Sequence, residues 1–261
     1  SGAGRIGKIQ MYTMSLYESG DSTGKASIQD MLNGKLQNNL NDKVTLEELA
    51  NLIIRGGWPS NIKIDEDKIG IIPKSYIEAI IDKDIHEDKK RDKNKMIMLL
   101  KSLARNETTI ASKNTLLKDI AEYANENEMI ESRITIDDYL DVLNRLHIIE
   151  NQDAYNENYR SPERVGKSAK RHFTDPSLAC ACLDLTKDKL MNDLKTFGFM
   201  FEALVERDLK IYMEYLGGKL FHFRDNVSGL EVDSILEFSD GEYGAVEIKL
   251  GFHQVKEAKQ S

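Results

Sequence analysis

The chain has 261 residues, 40% of them hydrophobic and 31% charged, and this composition excludes an intrinsically disordered protein. No apolar run approaches the roughly 18 residues that a bilayer-spanning helix needs, so we expect no membrane partner. The formal net charge of −8 disfavours a chain that wraps nucleic acid over its whole surface, because phosphate binding depends on Lys and Arg.

The first third of the chain is predicted to be connecting chain followed by helices. Residues 5–17 alternate apolar and polar side chains, which predicts a strand that enters a loop. A short helix is expected around Ile28–Leu32. Thr45, followed three residues later by Glu48, forms the capping box of a second helix, and a further helix is expected over 73–85.

The middle of the chain has the pattern of three helices followed by two strands. The helices are predicted at KMIMLLKSLARN, SKNTLLKDIAEYAN and TIDDYLDVLNRLHIIE, with Ser112 and Thr135 as the N-caps of the second and third. The strands are predicted at IIENQDAYNENYR and AKRHFTDP. Three short helices followed by a β wing are typical of a winged helix, which binds DNA or serves as a protein-interaction or spacer module.

A group of cations lies in the wing segment YRSPERVGKSAKRHF. Because Lys and Arg bind phosphate, the segment predicts a contact with DNA or RNA, and the alternative is a solvated wing. The candidate nucleic-acid-binding residues are Arg160, Arg164, Lys167, Lys170 and Arg171.

Two cysteines, Cys180 and Cys182, stand one residue apart after the wing. Such close neighbours cannot form an ordinary disulfide, and no further zinc ligands lie nearby. We expect buried thiols in an alanine-rich helix and a reducing compartment, which predicts a cytoplasmic protein.

The C-terminal region is predicted to be a long helix ending at Gly217, three strands and the start of another helix. The last two strands form the hairpin EVDSILEFSDGEYGAVEIKL. A two-residue turn at Asp240-Gly241 would point Asp233 away from Glu247. A three-residue loop that also includes Ser239 would place Asp233 opposite Glu247, on the face that carries Lys249.

Two neighbouring carboxylates repel each other unless a cation lies between them, so this face predicts a Mg²⁺ site. Asp233, Glu247 and the carbonyl of Ile248 would be the metal ligands. Lys249 would orient the attacking water or stabilise charge in the transition state, and Glu202 on the long helix would add a carboxylate. The alternative is a charged, solvated face of a sheet.

These residues carry a resemblance to a known family. EVD followed by VEIK, in the order helix, three antiparallel strands, helix, resembles the PD-(D/E)XK nuclease superfamily. The resemblance matches its acid to Asp233, its E-x-K pair to Glu247 and Lys249, and its helix acid to Glu202. It also implies a final strand that this sequence does not reach.

A wider resemblance covers nearly the whole chain. GRIGKIQMYTMSLYESG, LEELANLIIRGGWP, SLARNE, RHFTDPSLA, LKTFGFMFEALVERDL and GLEVDSILE with GAVEIKLG are similar, in the same order, to the C-terminal part of a bacterial and archaeal family of AAA-type ATP-binding proteins. That family joins a P-loop ATPase to a domain of unknown function with a winged helix and a nuclease-like end. No G-x-x-x-x-G-K-[ST] loop is present, so ATP is expected only in the intact protein.

The resemblance implies an α+β fold in four parts, and its function follows from the last two. We expect a nucleic-acid-binding region with a Mg-dependent endonuclease-like domain; the alternative is a non-catalytic protein-docking region controlled by the ATPase. The expected parts are the end of the ATPase and a connector (1–44), a helical lid-like segment (45–92), a winged helix (93–176) and a PD-(D/E)XK-like αβββα domain (177–261).

Overall fold

A computed structural model describes residues 7, 10–35, 44–87, 92–123, 133–162, 169–225 and 228–251. The fold is α+β. The helices are α1 (Ile28–Leu32), α2 (Leu46–Arg55), α3 (Ile71–Glu87), α4 (Lys93–Arg105), α5 (Lys113–Tyr123), α6 (Arg133–Arg145), α7 (Pro176–Cys182), α8 (Lys187–Asn192) and α9 (Leu194–Tyr215). The strands are β1 (Ile149–Gln152), β2 (Lys170–Phe173), β3 (Lys219–Arg224), β4 (Glu231–Glu237) and β5 (Tyr243–Val246).

The prediction of a strand over residues 5–17 is wrong for the described part of that range, which has no strand. Its backbone groups bind to separate elements. The amide of Met14 donates to the carbonyl of Gly57 at 2.7 Å, and the amide of Leu16 donates to the carboxylate of Asp208 at 2.9 Å. Because these two amides bind to different elements, the segment does not form the ladder of hydrogen bonds with one neighbouring strand that defines a β-strand.

Helix α2 begins and ends as its sequence predicts. The side chain of Thr45 accepts the amide of Glu48, and Glu48 returns a bond to the backbone of Thr45, which completes the capping box. Gly56 ends the helix with φ of 65°, a conformation that favours glycine. At Gly57 a Cβ atom would lie 2.1 Å from the carbonyl oxygen of Met14, so the close contact between the two segments requires glycine.

Helices α4, α5 and α6 are followed by the antiparallel pair β1–β2, as predicted for this region. Ser112 caps α5 through its hydroxyl, which accepts the amide of Thr115 at 3.1 Å. Thr135 is not the N-cap of the third helix, because α6 already begins at Arg133 and Thr135 lies inside it. The strand pairs run from Ile149 opposite Phe173 to Gln152 opposite Lys170.

A large hydrophobic core joins α2 to α9. It includes Ile53, Leu99, Leu143 and Phe197, each at most 1% exposed. Helix α7 packs against α2, α3 and α4 and buries both cysteines, which confirms the expectation of buried thiols in a helix. Burial of this much aliphatic surface is the main force that holds the helices together.

A three-stranded antiparallel sheet, ordered β3-β4-β5, lies against the C-terminal half of α9. The contact is a second, smaller core in which Met213 of α9 meets Leu236 and Phe238. Helix α9 therefore belongs to both cores. None of the helices in the described ranges is long and apolar enough to cross a membrane.

Candidate functional site

The hairpin β4–β5 has a three-residue loop, one of the two possibilities that the sequence left open. The amide of Phe238 donates to the carbonyl of Glu242 at 2.8 Å, and Gly241 at the end of the loop has φ of 89°. The ladder then pairs residues from Glu237 opposite Tyr243 to Ser234 opposite Val246. This register, rather than the alternative two-residue turn, is confirmed.

A β-bulge places Asp233. On one side of it Phe221 pairs with Ile235, and on the other side Phe223 pairs with Val232. One residue of β3 therefore lies opposite two residues of β4, Asp233 and Ser234. Bulges re-aim side chains and often occur beside active sites. This bulge could not be predicted from the sequence, because it depends on how two strands pair.

Asp233, Glu247 and Lys249 converge just beyond the end of β5, and we name these three residues the open cluster. The amide of Ile248 donates to the carboxylate of Asp233 at 2.7 Å, and the ammonium of Lys249 lies 3.5 Å from the same oxygen. Lys249 also forms an ion pair with Glu247. One ammonium thus lies against two carboxylates.

The side chains of the open cluster remain accessible to water. Their exposed fractions are 13% for Asp233, 38% for Glu247 and 29% for Lys249. Burial works against the charge of Lys249, but the hydrogen bond to Glu247 and the charge of Asp233 hold its pKa above the usual value. The lysine is therefore a stable cation in this structure.

Glu202 approaches the open cluster from α9 but is held by a different lysine. Its carboxylate lies 2.6 Å from the ammonium of Lys170. The pKa of Glu202 is raised to about 7, because burial and the nearby charge of Asp233 outweigh the opposing charge of Lys170. Glu202 therefore lies close enough to sense Asp233, although it is not part of the open cluster.

Lys170 is the centre of a group of charges in the interior. Its ammonium lies 3.0 Å from Glu206, which also accepts the hydroxyl of Ser234 at 3.0 Å. His172 lies 3.5 Å from Glu206 and 2.9 Å from Glu107. The buried cluster is defined as Glu107, Lys170, His172, Glu202 and Glu206.

Burial dominates the protonation of the buried cluster. It raises the pKa of Glu107 to about 8 and lowers the pKa of His172 to about 4. Burial also opposes the charge of Lys170, but Glu206 and Glu202 keep the pKa of that lysine above its usual value. At neutral pH the cluster therefore holds a charged lysine, a neutral imidazole and a proton on Glu107.

The five predicted phosphate contacts of the segment around β2 lie in different surroundings. Lys170 is 3% exposed and paired with two carboxylates, so its predicted role as a phosphate contact is wrong. A guanidinium nitrogen of Arg171 donates to the carbonyl of Ala111 at 2.7 Å, whereas Arg160 lies on the surface. Arg164 and Lys167 fall outside the described residues.

A second buried network fixes α9 against the N-terminal half of the chain. The guanidinium of Arg207 donates to Asp175 at 2.9 Å and to Asp208 at 2.6 Å. Asp175 also accepts the amide of Gly57, and Asp208 accepts the amide of Leu16. These bonds hold the helix that carries Glu202, and sequence reasoning missed them because the bonds that join α9 to Asp175 and Leu16 connect residues distant along the chain.

The donor set of the open cluster fits a hard divalent cation. Two carboxylates with a neighbouring backbone carbonyl at Ile248 provide the oxygen ligands that Mg²⁺ prefers, and water can complete an octahedron. Within the described ranges, no three His, Cys, Asp or Glu side chains lie together in a ready-made metal cage. Any such ion would therefore keep several waters.

Comparison with known proteins gives one match. Residues 46–189, more than half of the chain, match a family model described as a domain of unknown function (DUF8612). The matched range includes Lys170 and ends before Glu202 and the open cluster. No curated protein and no solved structure matches the chain. The chain thus belongs to the family defined by this domain of unknown function.

Proposed function

We propose that this chain is the C-terminal region of an AAA-type ATP-binding protein, and that it cleaves or binds nucleic acid at a Mg²⁺-dependent PD-(D/E)XK-like site. The element order α9, β3, β4, β5 agrees with the helix and three strands of that superfamily. In this proposal ATP binding belongs to a P-loop domain of the intact protein.

The observation that carries the proposal is the position of Lys249 against both Asp233 and Glu247. A sheet face that serves only for solubility does not need its charges to converge. Here a bulge in β4, a three-residue loop and the end of β5 together bring two acids and a base to one point. Convergence of acidic and basic side chains from separate elements is a common feature of chemical sites.

Each residue has a role that follows from its geometry. Asp233 and Glu247 would hold Mg²⁺, with the carbonyl of Ile248 as a third protein oxygen. The metal, when bound, neutralises phosphate charge and lowers the pKa of a bound water. Lys249 is long enough and exposed enough to donate to a phosphate oxygen or to the attacking water. Glu202 would border the site and place a further carboxylate near Asp233.

The same proposal assigns nucleic-acid binding to the region before α7. Three helices followed by the β1–β2 pair support a winged helix. Arg160 lies on the surface of the segment between the two strands, where it can reach a phosphate. The partner class is DNA or RNA, because phosphate contacts carry no sequence information and both polymers offer them.

The proposal is tested by cleavage of single- and double-stranded DNA and of RNA, with Mg²⁺ or Mn²⁺. Asp233→Asn and Glu247→Gln should each reduce the cleavage rate by about 100-fold or more, since they remove metal ligands whose effect is felt in the transition state. Lys249→Ala should reduce it by a similar factor.

Glu231→Gln is the matched control, because Glu231 is an exposed acid of the same strand that pairs loosely with Arg224. It should cleave at the wild-type rate. Equal cleavage by wild type and the three site variants would refute the nuclease assignment. Absence of cleavage in every protein would favour the non-catalytic docking function.

A further inference from the structure

The two lysines of this region occupy opposite kinds of position. Lys170 has 4% of its side chain exposed and is enclosed by Glu202 and Glu206. Lys249 has 29% exposed and lies at the edge of the protein against Asp233 and Glu247. The ammonium of Lys170 is buried among its carboxylates. The ammonium of Lys249 can move away from its carboxylates by rotation of its own side chain.

The ammonium of Lys249 lies where a cation shared by the two carboxylates would lie. It is 3.5 Å from one oxygen of Asp233 and in direct contact with Glu247. Two carboxylates at this separation repel each other unless a positive charge lies between them. The lysine supplies that charge, and so the two acids can lie close together without a metal ion.

We propose that Lys249 is a built-in counter-ion of the candidate site, which competes with the divalent cation and is released when the cation binds. This inference rests on the proposed function and adds a regulation to it. The released ammonium would then be available to a phosphate group. Metal binding and the availability of the lysine would thus be one event.

Competition follows from elementary electrostatics. A divalent ion bound by Asp233 and Glu247 would lie within a few ångströms of an ammonium that stayed in place, and like charges at that separation repel strongly in a partly desolvated site. The ion must therefore displace the ammonium or bind weakly. Removal of the charge at position 249 should remove this cost and strengthen binding.

The test is calorimetric titration of the whole chain with Mn²⁺. Lys249→Met keeps the length and apolar stem of the side chain and removes the charge. It should bind Mn²⁺ about tenfold more tightly than wild type, on the scale of a single charge pair at a partly exposed site. Lys249→Arg keeps a cation and should bind within about threefold of wild type.

Two further proteins separate a local effect from a general one. Lys219→Met removes an exposed charge from the far end of the same sheet and should leave the Mn²⁺ affinity unchanged. Lys249→Met combined with Glu247→Gln should lose the gain, because the gain depends on the carboxylate pair. A thermal melt of each variant checks that it is folded.

The outcomes are distinct. Tighter binding by Lys249→Met alone supports the inference. Equal or weaker binding by Lys249→Met, with measurable binding by wild type, overturns the inference and leaves the proposed metal site standing. If neither wild type nor Lys249→Met binds Mn²⁺, the metal site itself is wrong, and the inference falls with it.

Discussion

The buried cluster and the open cluster solve the same electrostatic problem in different surroundings. In each, one lysine lies between carboxylates: Lys170 between Glu202 and Glu206, and Lys249 between Asp233 and Glu247. The first set lies in the interior and the second is open to water. Because it is buried, Lys170 is held in one position between its carboxylates. Lys249 is partly exposed, so its side chain can move.

The buried cluster also links the region of α4–α6 and β1–β2 to the region of α9 and the three-stranded sheet. Lys170 comes from β2, beside the three helices, whereas its partners Glu202 and Glu206 come from α9, beside the sheet. Ser234, next to Asp233, donates to Glu206. Strand β2 therefore supports the helix and the bulge on which the open cluster is built.

The largest expected effect is on stability, from Lys170→Met. Loss of the ammonium leaves the carboxylates of Glu202 and Glu206 without their shared cation, and broken buried ion pairs cost about 3–5 kcal/mol. We expect a decrease of that size in the free energy of unfolding, measured by urea denaturation.

Lys249→Met is the matched variant for this comparison. It removes the same group from a site where water replaces the lost partner, so the free energy of unfolding should change by no more than about 0.5 kcal/mol. Equal losses in the two variants would show that the burial contrast between the clusters is not what distinguishes them.

A second prediction concerns pH. Because the pKa of Glu107 is raised to about 8, the folded protein keeps a proton that the unfolded chain has already released. This contribution to stability is complete below the unfolded pKa and is lost as the pH rises through 8. The free energy of unfolding should therefore fall between about pH 6.5 and pH 8, by up to about 1.4 kcal/mol per pH unit for one proton.

Glu107→Gln isolates this effect. An amide can accept the backbone amide of Phe173 and donate to His172, as the protonated acid does, but it does not titrate. Urea denaturation across this pH range should show a flatter dependence in the variant. His172 acts in the opposite direction and mainly below pH 6.5, because the unfolded imidazole titrates near 6.5 while the folded one stays neutral down to about pH 4. An unchanged slope would mean that Glu107 is ionised in the folded state.

Local patterns were sufficient to predict much of the fold. Caps at Thr45 and Ser112 use side chains within three residues of their targets, so the sequence contains the whole interaction. The sequence also narrowed the hairpin to two registers, and the structure has the one with the three-residue loop that ends at Gly241. These features depend on neighbours along the chain.

Features that depend on distant partners could not be predicted. Lys170 reads as one more cation in a basic stretch, and its burial follows only from where α9 places Glu202 and Glu206. The bulge at Asp233 is equally invisible, because it is a property of two strands and not of one. The sequence therefore indicated which residues form the open cluster, but not what holds them in place.

A modest gain in stability is expected from a change in α9 that alters neither cluster. Gly198 lies inside this helix, and a Cβ atom there would have no neighbour within 4 Å. Gly198→Ala should therefore stabilise the chain by about 0.5–1 kcal/mol, because alanine loses less backbone entropy on entering a helix. Gly57→Ala is the contrasting variant, since its Cβ would meet the backbone of Met14, and it should destabilise the chain. An unchanged Mn²⁺ affinity of Gly198→Ala would show that the stability of α9 does not affect metal binding at the open cluster. A changed affinity would show that metal binding depends on the stability of this helix.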